Sequence, residues 1–188
     1  MEIGIIVCGL NGSGKSTLGK ALSEKLGFRF IDNENLYFPG CRGEQQAELA
    51  TSPKTDPNYI YASPRSRNEV EILLMDEVRT YKNFVFAAVK GDYGKEILPL
   101  YNYAVLIDVP KEIRMQRVRN RAFQQFGDRM LKGGDLYEQE EAFFNFVNAR
   151  PEHYVEEWVQ TLNCPIIRVD GTGPIKENLT FIMEQIQH

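Results

Sequence analysis

Short apolar runs recur along the chain, separated by longer amphipathic stretches. Gly4 to Cys8, Arg29 to Asp32, Phe84 to Val89, Tyr103 to Val109 and Ile166 to Val169 each span a few residues and favour β-branched or aromatic side chains, so each predicts a short buried strand. The gaps carry helical spacing instead. Leu18, Ala21, Leu22 and Leu26 form one face of a helix expected over Lys15 to Leu26. Further helices are expected over Pro64 to Tyr81, Lys111 to Phe126, Tyr137 to Leu162 with a break at Pro151, and Ile175 to Ile186. Strand and helix alternate, which predicts a three-layer α/β/α fold: a five-stranded parallel sheet with helices on both faces.

Two stretches fit neither period. Phe38 to Pro64 is long and rich in turn formers, and Phe126 to Asp135, FGDRMLKGGD, carries three glycines. Long irregular segments in compact domains are usually functional or disordered. Here they are read as mobile segments of one domain spanning residues 1–188, the acceptor side over about 33–80 and a lid over about 122–136. No internal repeat is visible.

The first strand runs directly into GLNGSGKSTLGKAL, Gly9 to Leu22. Gly9, Gly14, Lys15 and Ser16 complete GxxxxGK[ST], placed between a strand and a helix as a phosphate-binding loop requires. Gly9, Asn11, Gly12, Ser13 and Gly14 would turn backbone N–H groups toward phosphate oxygens, and the helix N-terminus behind them favours negative charge. Lys15 would reach the β/γ-phosphates, Ser16 would offer its hydroxyl to Mg²⁺, and Thr17 completes the cradle. Such a match arises by accident about once in a hundred chains of this length. The dinucleotide pattern GxGxxG fails, because Gly9, Gly12 and Gly14 have the wrong spacing. ATP, or another nucleoside triphosphate, with Mg²⁺ is therefore the expected cofactor.

Composition narrows the class further. The 188 residues are 43% hydrophobic, which fits one globular domain with a substantial core, and the formal net charge of −4 argues against a general nucleic-acid binder. No apolar run is long enough to cross a membrane, and Met1 leads into the first strand without the regions of a signal peptide, so the cytoplasm is the expected location. Cys8, Cys41 and Cys164 are scattered, which suggests neither a disulfide framework nor a zinc site. Whether the chain is a monomer or a homodimer is open.

With these motifs the chain resembles a small P-loop kinase of the adenylate kinase and shikimate kinase type, within the AAA-type, ATPase-like P-loop NTPase superfamily. The phosphate loop is the most specific piece. LIDVPKEIRMQRVRNRAF, Leu106 to Phe123, is similar to the strand and arginine-bearing helix that lead into the lid of these kinases, and VDGTGPIKENL, Val169 to Leu179, to the loop that borders the adenine. The resemblance implies that Arg117 stacks on the base with Gly171, Thr172 and Pro174 beside it, and that Arg121 approaches the transferring phosphate. It implies that Arg129 in the lid and Arg150 beyond it can swing toward the phosphates. It also implies that Asp32, with Glu34 behind it, orients an acceptor hydroxyl or assists the metal. Two departures stand out: the lid lacks the four cysteines of zinc-bearing adenylate kinases, and VKGDYG, Val89 to Gly94, replaces DGFPR.

The residues themselves leave other readings open. Arg114, Arg117 and Arg121 form one helical stripe, which an anion would stabilise, yet a solvated basic face paired to Glu112 is also consistent; Arg114 is expected to be structural. Arg129 and Arg150 are equally compatible with surface positions. Asp32 is preferred as a catalytic group over a cap for a turn with Asn33. Asp92, just past the third strand, is the candidate second ligand of Mg²⁺, and Asp108 is expected to be structural. Ser63 and Pro64 look like a helix start, which would set Arg65 and Arg67 at the positive end of the helix dipole and imply an anionic acceptor. The expected activity is ATP- and Mg²⁺-dependent phosphoryl transfer to a small, anionic acceptor. A nucleotide-gated regulatory module and a simple nucleoside triphosphatase are the alternatives.

Overall fold

The computed structural model of the chain describes residues 2–38 and 64–186. Most of the irregular stretch expected at Phe38 to Pro64, with Cys41 and Ser63, lies outside the described residues.

The five strands form where the apolar runs predict them: β1 (Gly4–Cys8), β2 (Arg29–Asp32), β3 (Phe84–Ala88), β4 (Tyr101–Asp108) and β5 (Ile166–Asp170). They pair in parallel in the order β2-β3-β1-β4-β5. Parallel pairing forbids tight hairpins, so each connection crosses a face of the sheet, and the inner strands β1 and β3 are buried on both sides. The alternation of β1 illustrates this. Ile5 and Val7 pack with Leu18 and Leu22 of α1 (Lys15–Leu26) and Ile182 of α7 (Ile175–Ile186). Ile6 and Cys8 pack on the opposite face with Leu74 of α3 (Arg67–Tyr81) and Trp158 of α6 (Tyr154–Val159). The expected three-layer α/β/α arrangement is the one observed.

A smaller apolar cluster lies beside the sheet. Val118 and Ala122 of α4 (Lys111–Phe126) meet Phe144 of α5 (Tyr137–Ala149), and Met130 from a 3-10 turn at Gly127–Met130 closes the group. The segment expected to act as a lid is thus packed through Ala122 and Met130 against α4 and α5.

Helix boundaries differ from expectation in two places. Alpha3 begins at Arg67 rather than Pro64, because Ser66 forms a capping box: its hydroxyl accepts from the Glu69 N–H, and the Glu69 carboxylate accepts from the Ser66 N–H at 2.8 Å. Arg65 therefore precedes the helix, and the expected Pro64 start is corrected. The helix expected over Tyr137 to Leu162 breaks at Pro151, as the missing N–H demands, and its second part ends at Val159. A short helix that the apolar pattern does not signal, α2 (Asn33–Tyr37), follows β2 directly.

Because all strands run the same way, their C-terminal ends share one edge of the sheet. The loops after β1, β2, β3, β4 and β5 meet there, which is where ligands bind in open parallel sheets.

Candidate functional site

At that edge the loop after β1 is folded as its glycines require. Gly12 and Gly14 have φ of +82° and +95°, a region costly for side chains with a Cβ. A Cβ at Gly12 would also collide with the carbonyl of Arg114, so the loop packs directly on the backbone of α4. The Leu10 carbonyl accepts from Ser13 N and from Lys15 Nζ, each at 3.1 Å. Alpha1 starts at Lys15 behind Gly14, which offers no side-chain cap, leaving its first N–H groups directed at the loop's mouth.

The loop separates two clefts. The larger, about 460 Å³, is lined by Asn11, Gly12, Lys15 and Ser16 of the loop, by Asp32 and Glu34 after β2, and by Arg121 of α4. The smaller, about 240 Å³, is lined by Ser13, Gly14 and Thr17 on the other side of the loop, with Arg117, Gly171 and Asn178. Arg117 fixes this second wall by donating from Nη2 to the Gly171 carbonyl at 3.0 Å. Ser13 Oγ and Asn33 Oδ1, one in each cleft, are buried without a hydrogen-bond partner among the described residues.

Several charges in the larger cleft are tuned by their surroundings. Burial pushes the Lys15 ammonium down to about 8, opposed by Asp32 and reinforced by Arg121. A bound phosphate would reverse that shift, so the residue is suited to an anion. Arg121 lies 3.9 Å from the Glu34 carboxylate, linking α4 to α2 across the cleft. Asp32 caps α2, accepting from the Glu34 N–H at 2.8 Å. Capping uses one of its acceptor sites, and a carboxylate has about four, so the cap and a role toward a ligand are compatible.

Arg114 is structural as expected: it is 3% exposed, donates to the Val109 carbonyl and makes a double contact with Glu152 at 2.7 Å. Arg150 lines neither cleft, yet its Nη1 donates to Asn11 Oδ1 at 2.7 Å and its guanidinium lies over the Phe146 ring, which ties it to the phosphate loop.

Other expected site residues are not brought to the clefts. Asp92 lies outside both and faces Arg67 at 3.8 Å, because the Lys90-Gly91 step carries the chain past the rim. Arg67 is further engaged by Glu71 and stacked on Tyr93. Arg65 donates to the Leu36 carbonyl. The expected anionic acceptor therefore loses the arginine pair on which it rested. Arg129 pairs with Asp135 within the lid. Thr172 turns back on Asp170 through its N–H and hydroxyl, and Pro174 leads into α7, so only Gly171 of that trio lines a cleft. Gly9 sits at the end of β1 behind the loop.

Glu140, Gln139 and Phe143 of α5 and Asn33 and Tyr37 of α2 complete the larger cleft and were not expected there. Glu140 had a signal: it shares its buried helical stripe with Phe144 and Val147, and a carboxylate on an apolar stripe needs a reason.

Residues 5–142, which include the phosphate loop and both walls of the larger cleft, match the AAA domain family. The chain belongs to that family. This AAA domain protein is 24% identical to the uncharacterized protein YqaC of Bacillus subtilis over 99% of its own length and 98% of that protein. It is 28% identical to a shikimate kinase of Synechococcus elongatus over 87 residues, 46% of this chain and 40% of that enzyme. Its fold is that of the shikimate kinase from Aquifex aeolicus, with a TM-score of 0.54, 19% identity, and 98% and 96% of the two chains covered. The resemblance carried by the sequence motifs is thus matched in fold and in family. No helix among the described residues is long and apolar enough to cross a membrane.

Proposed function

We propose that this AAA domain protein is an ATP- and Mg²⁺-dependent kinase that phosphorylates a small molecule in the cytoplasm. The observation that carries the reading is the phosphate loop standing as a shared wall between two clefts. A nucleoside fits the smaller one beside Arg117 and Gly171, and an acceptor fits the larger one beside Asp32. A hydrolase needs no second cleft of this size. The partial likeness to shikimate kinases supports the same assignment.

The roles follow from position. The Lys15 ammonium neutralises the phosphates at the boundary between the clefts, and Arg121 spreads the charge that develops on the migrating group. Glu34 holds the Arg121 guanidinium over the larger cleft. Asp32 keeps its free oxygen for the acceptor hydroxyl, orienting it and receiving its proton. Arg150 steadies the loop through Asn11. The Ser16 hydroxyl, in the larger cleft, would hold Mg²⁺. When bound, the ion neutralises the terminal phosphates.

The test is ADP release measured at saturating ATP against a broad panel of hydroxyl-bearing metabolites. One acceptor should raise release well above the background hydrolysis rate, and Lys15→Ala should remove at least ~99% of that stimulated rate, in line with the loss of a transition-state charge. Hydrolysis that no acceptor stimulates would instead identify a nucleoside triphosphatase or a nucleotide-gated module.

A further inference from the structure

The larger cleft carries an electrostatic asymmetry that bears on what it accepts. Two of its acceptor groups lack a donor among the described residues, one of them buried and the other opening on the cleft. Glu140 is 5% exposed, and burial raises its carboxyl above the usual carboxylate range, with Arg121 only partly opposing. Among the described residues no side chain donates to it. Asn33 Oδ1 is buried and unpaired in the same cleft. A buried acceptor without a donor is costly, so such groups normally have a partner. Both line the cleft, Glu140 from α5 and Asn33 from α2, and Asp32 adds a carboxylate with remaining acceptor capacity.

Cations, by contrast, are scarce on that side. Among the described residues only Lys15 and Arg121 line the cleft with positive charge. Lys15 belongs to the phosphate loop, and Arg121 faces Glu34. Arg65 and Arg67 are spent on Leu36, Glu71 and Asp92. Once nucleotide phosphates occupy the two cleft cations, a second anion would meet Asp32, Glu34 and Glu140 with no further cation among the described lining residues to balance it. Hydroxyl groups meet none of that penalty, and each can donate to one of the waiting oxygens. The rings of Tyr37 and Phe143 supply apolar walls for a carbon skeleton.

Resting on the kinase reading above, we infer that the phosphoryl acceptor is an uncharged small molecule bearing several hydroxyl groups, held by Glu140 and Asn33 opposite Asp32. One acceptor hydroxyl forms the new P–O bond to the γ-phosphorus of ATP, the bond to the bridging oxygen of ADP breaks, and the hydroxyl proton passes to Asp32. The other hydroxyls donate to Glu140 and Asn33.

The experiment measures acceptor-stimulated ADP release with matched sets on one carbon skeleton. Uncharged sugars, sugar alcohols, cyclitols and nucleosides are compared with the corresponding carboxylates, including gluconate and shikimate, and with phosphate esters and amino sugars. The expected result is an uncharged member with kcat/KM at least ~10-fold above its charged counterparts, the worth of one charge-assisted contact. For that substrate, Glu140→Ala should raise the acceptor KM about tenfold with the KM for ATP unchanged, while Glu140→Gln, which keeps the shape and one acceptor oxygen, should raise it about threefold. A carboxylate, phosphate ester or amine as the best substrate overturns the inference and leaves the kinase reading standing. So does an unchanged acceptor KM in both Glu140 variants. ADP release that no member of the panel stimulates overturns the kinase reading itself, and the inference with it.

Discussion

Lys15 holds its charge where the protein alone discourages it. Burial brings its ammonium to about 8 from an ordinary 10.5. A bound phosphate favours the charged form and so lifts that value back. The sign follows: affinity for nucleotide is fully present below pH 8 and declines as Lys15 loses its proton, by about tenfold per pH unit above that point. Titration calorimetry with ADP between pH 6.5 and 9.5 should therefore give a constant Kd at the acid end and a rising one above 8, and Lys15→Met should flatten the profile. A wild-type Kd that stays level to pH 9.5 would contradict the assignment. Lys15 and Ser16 were legible in the sequence because the loop that holds them is local, with every constraint inside nine residues. Asp92 and Arg67 were not. Their side-chain directions depend on where two loops from distant parts of the chain meet, and there the two residues pair with each other. Glu140 shares the apolar stripe of α5 with Phe144 and Val147, a signal muted by the other acidic residues of EQEEAFF around it.

Alpha3 illustrates how two plausible start signals compete. Ser63-Pro64 offers a cap and a favoured first residue, but Ser66 and Glu69 satisfy two N–H groups reciprocally, and the reciprocal arrangement sets the boundary. Ser66→Ala should cost about 1 kcal/mol, which for a chain of this size lowers Tm by roughly 2–4 °C. Thermal unfolding followed by circular dichroism would detect it. The KM for ATP should not change, since no residue of α3 lines either cleft. The break between α5 and α6 was legible for the opposite reason: Pro151 removes a donor outright, and no rival signal stands nearby. Alpha2 escaped notice because five residues are too short to show a period, and its start depends on Asp32 as a cap.

The assembled sheet places five loops at one edge although they come from all parts of the sequence. That the sheet is parallel was legible, since the inner strands β1 and β3 are apolar throughout and helices separate most successive strands. The strand order was not, because pairing β1 with both β3 and β4 joins segments about 80 and 100 residues apart, a relation that no local pattern encodes. On the proposed reading, the same convergence would make a bound nucleotide a cross-link between α1, α4 and the loop after β5. A ligand at 100 times its Kd should stabilise the fold by about 2.7 kcal/mol, which corresponds to a rise in Tm of roughly 5–11 °C. Differential scanning fluorimetry with ATP and Mg²⁺ should record that shift, and Lys15→Ala should abolish most of it. Equal shifts in both proteins would place the nucleotide elsewhere.

The contact between Gly12 and the Arg114 backbone makes α4 a lever with a fixed pivot. Arg114 is anchored at its base by Val109 and Glu152, and the glycine admits no gap there. Arg121 stands seven residues further along, about 10 Å at 1.5 Å per residue. A tilt of roughly 10° about the pivot would sweep its guanidinium by about 2 Å while shifting the phosphate loop hardly at all. That is the difference between a hydrogen bond and none. On the kinase reading, such a tilt would bring positive charge onto the migrating phosphate, or withdraw it, without disturbing the grip on the nucleotide.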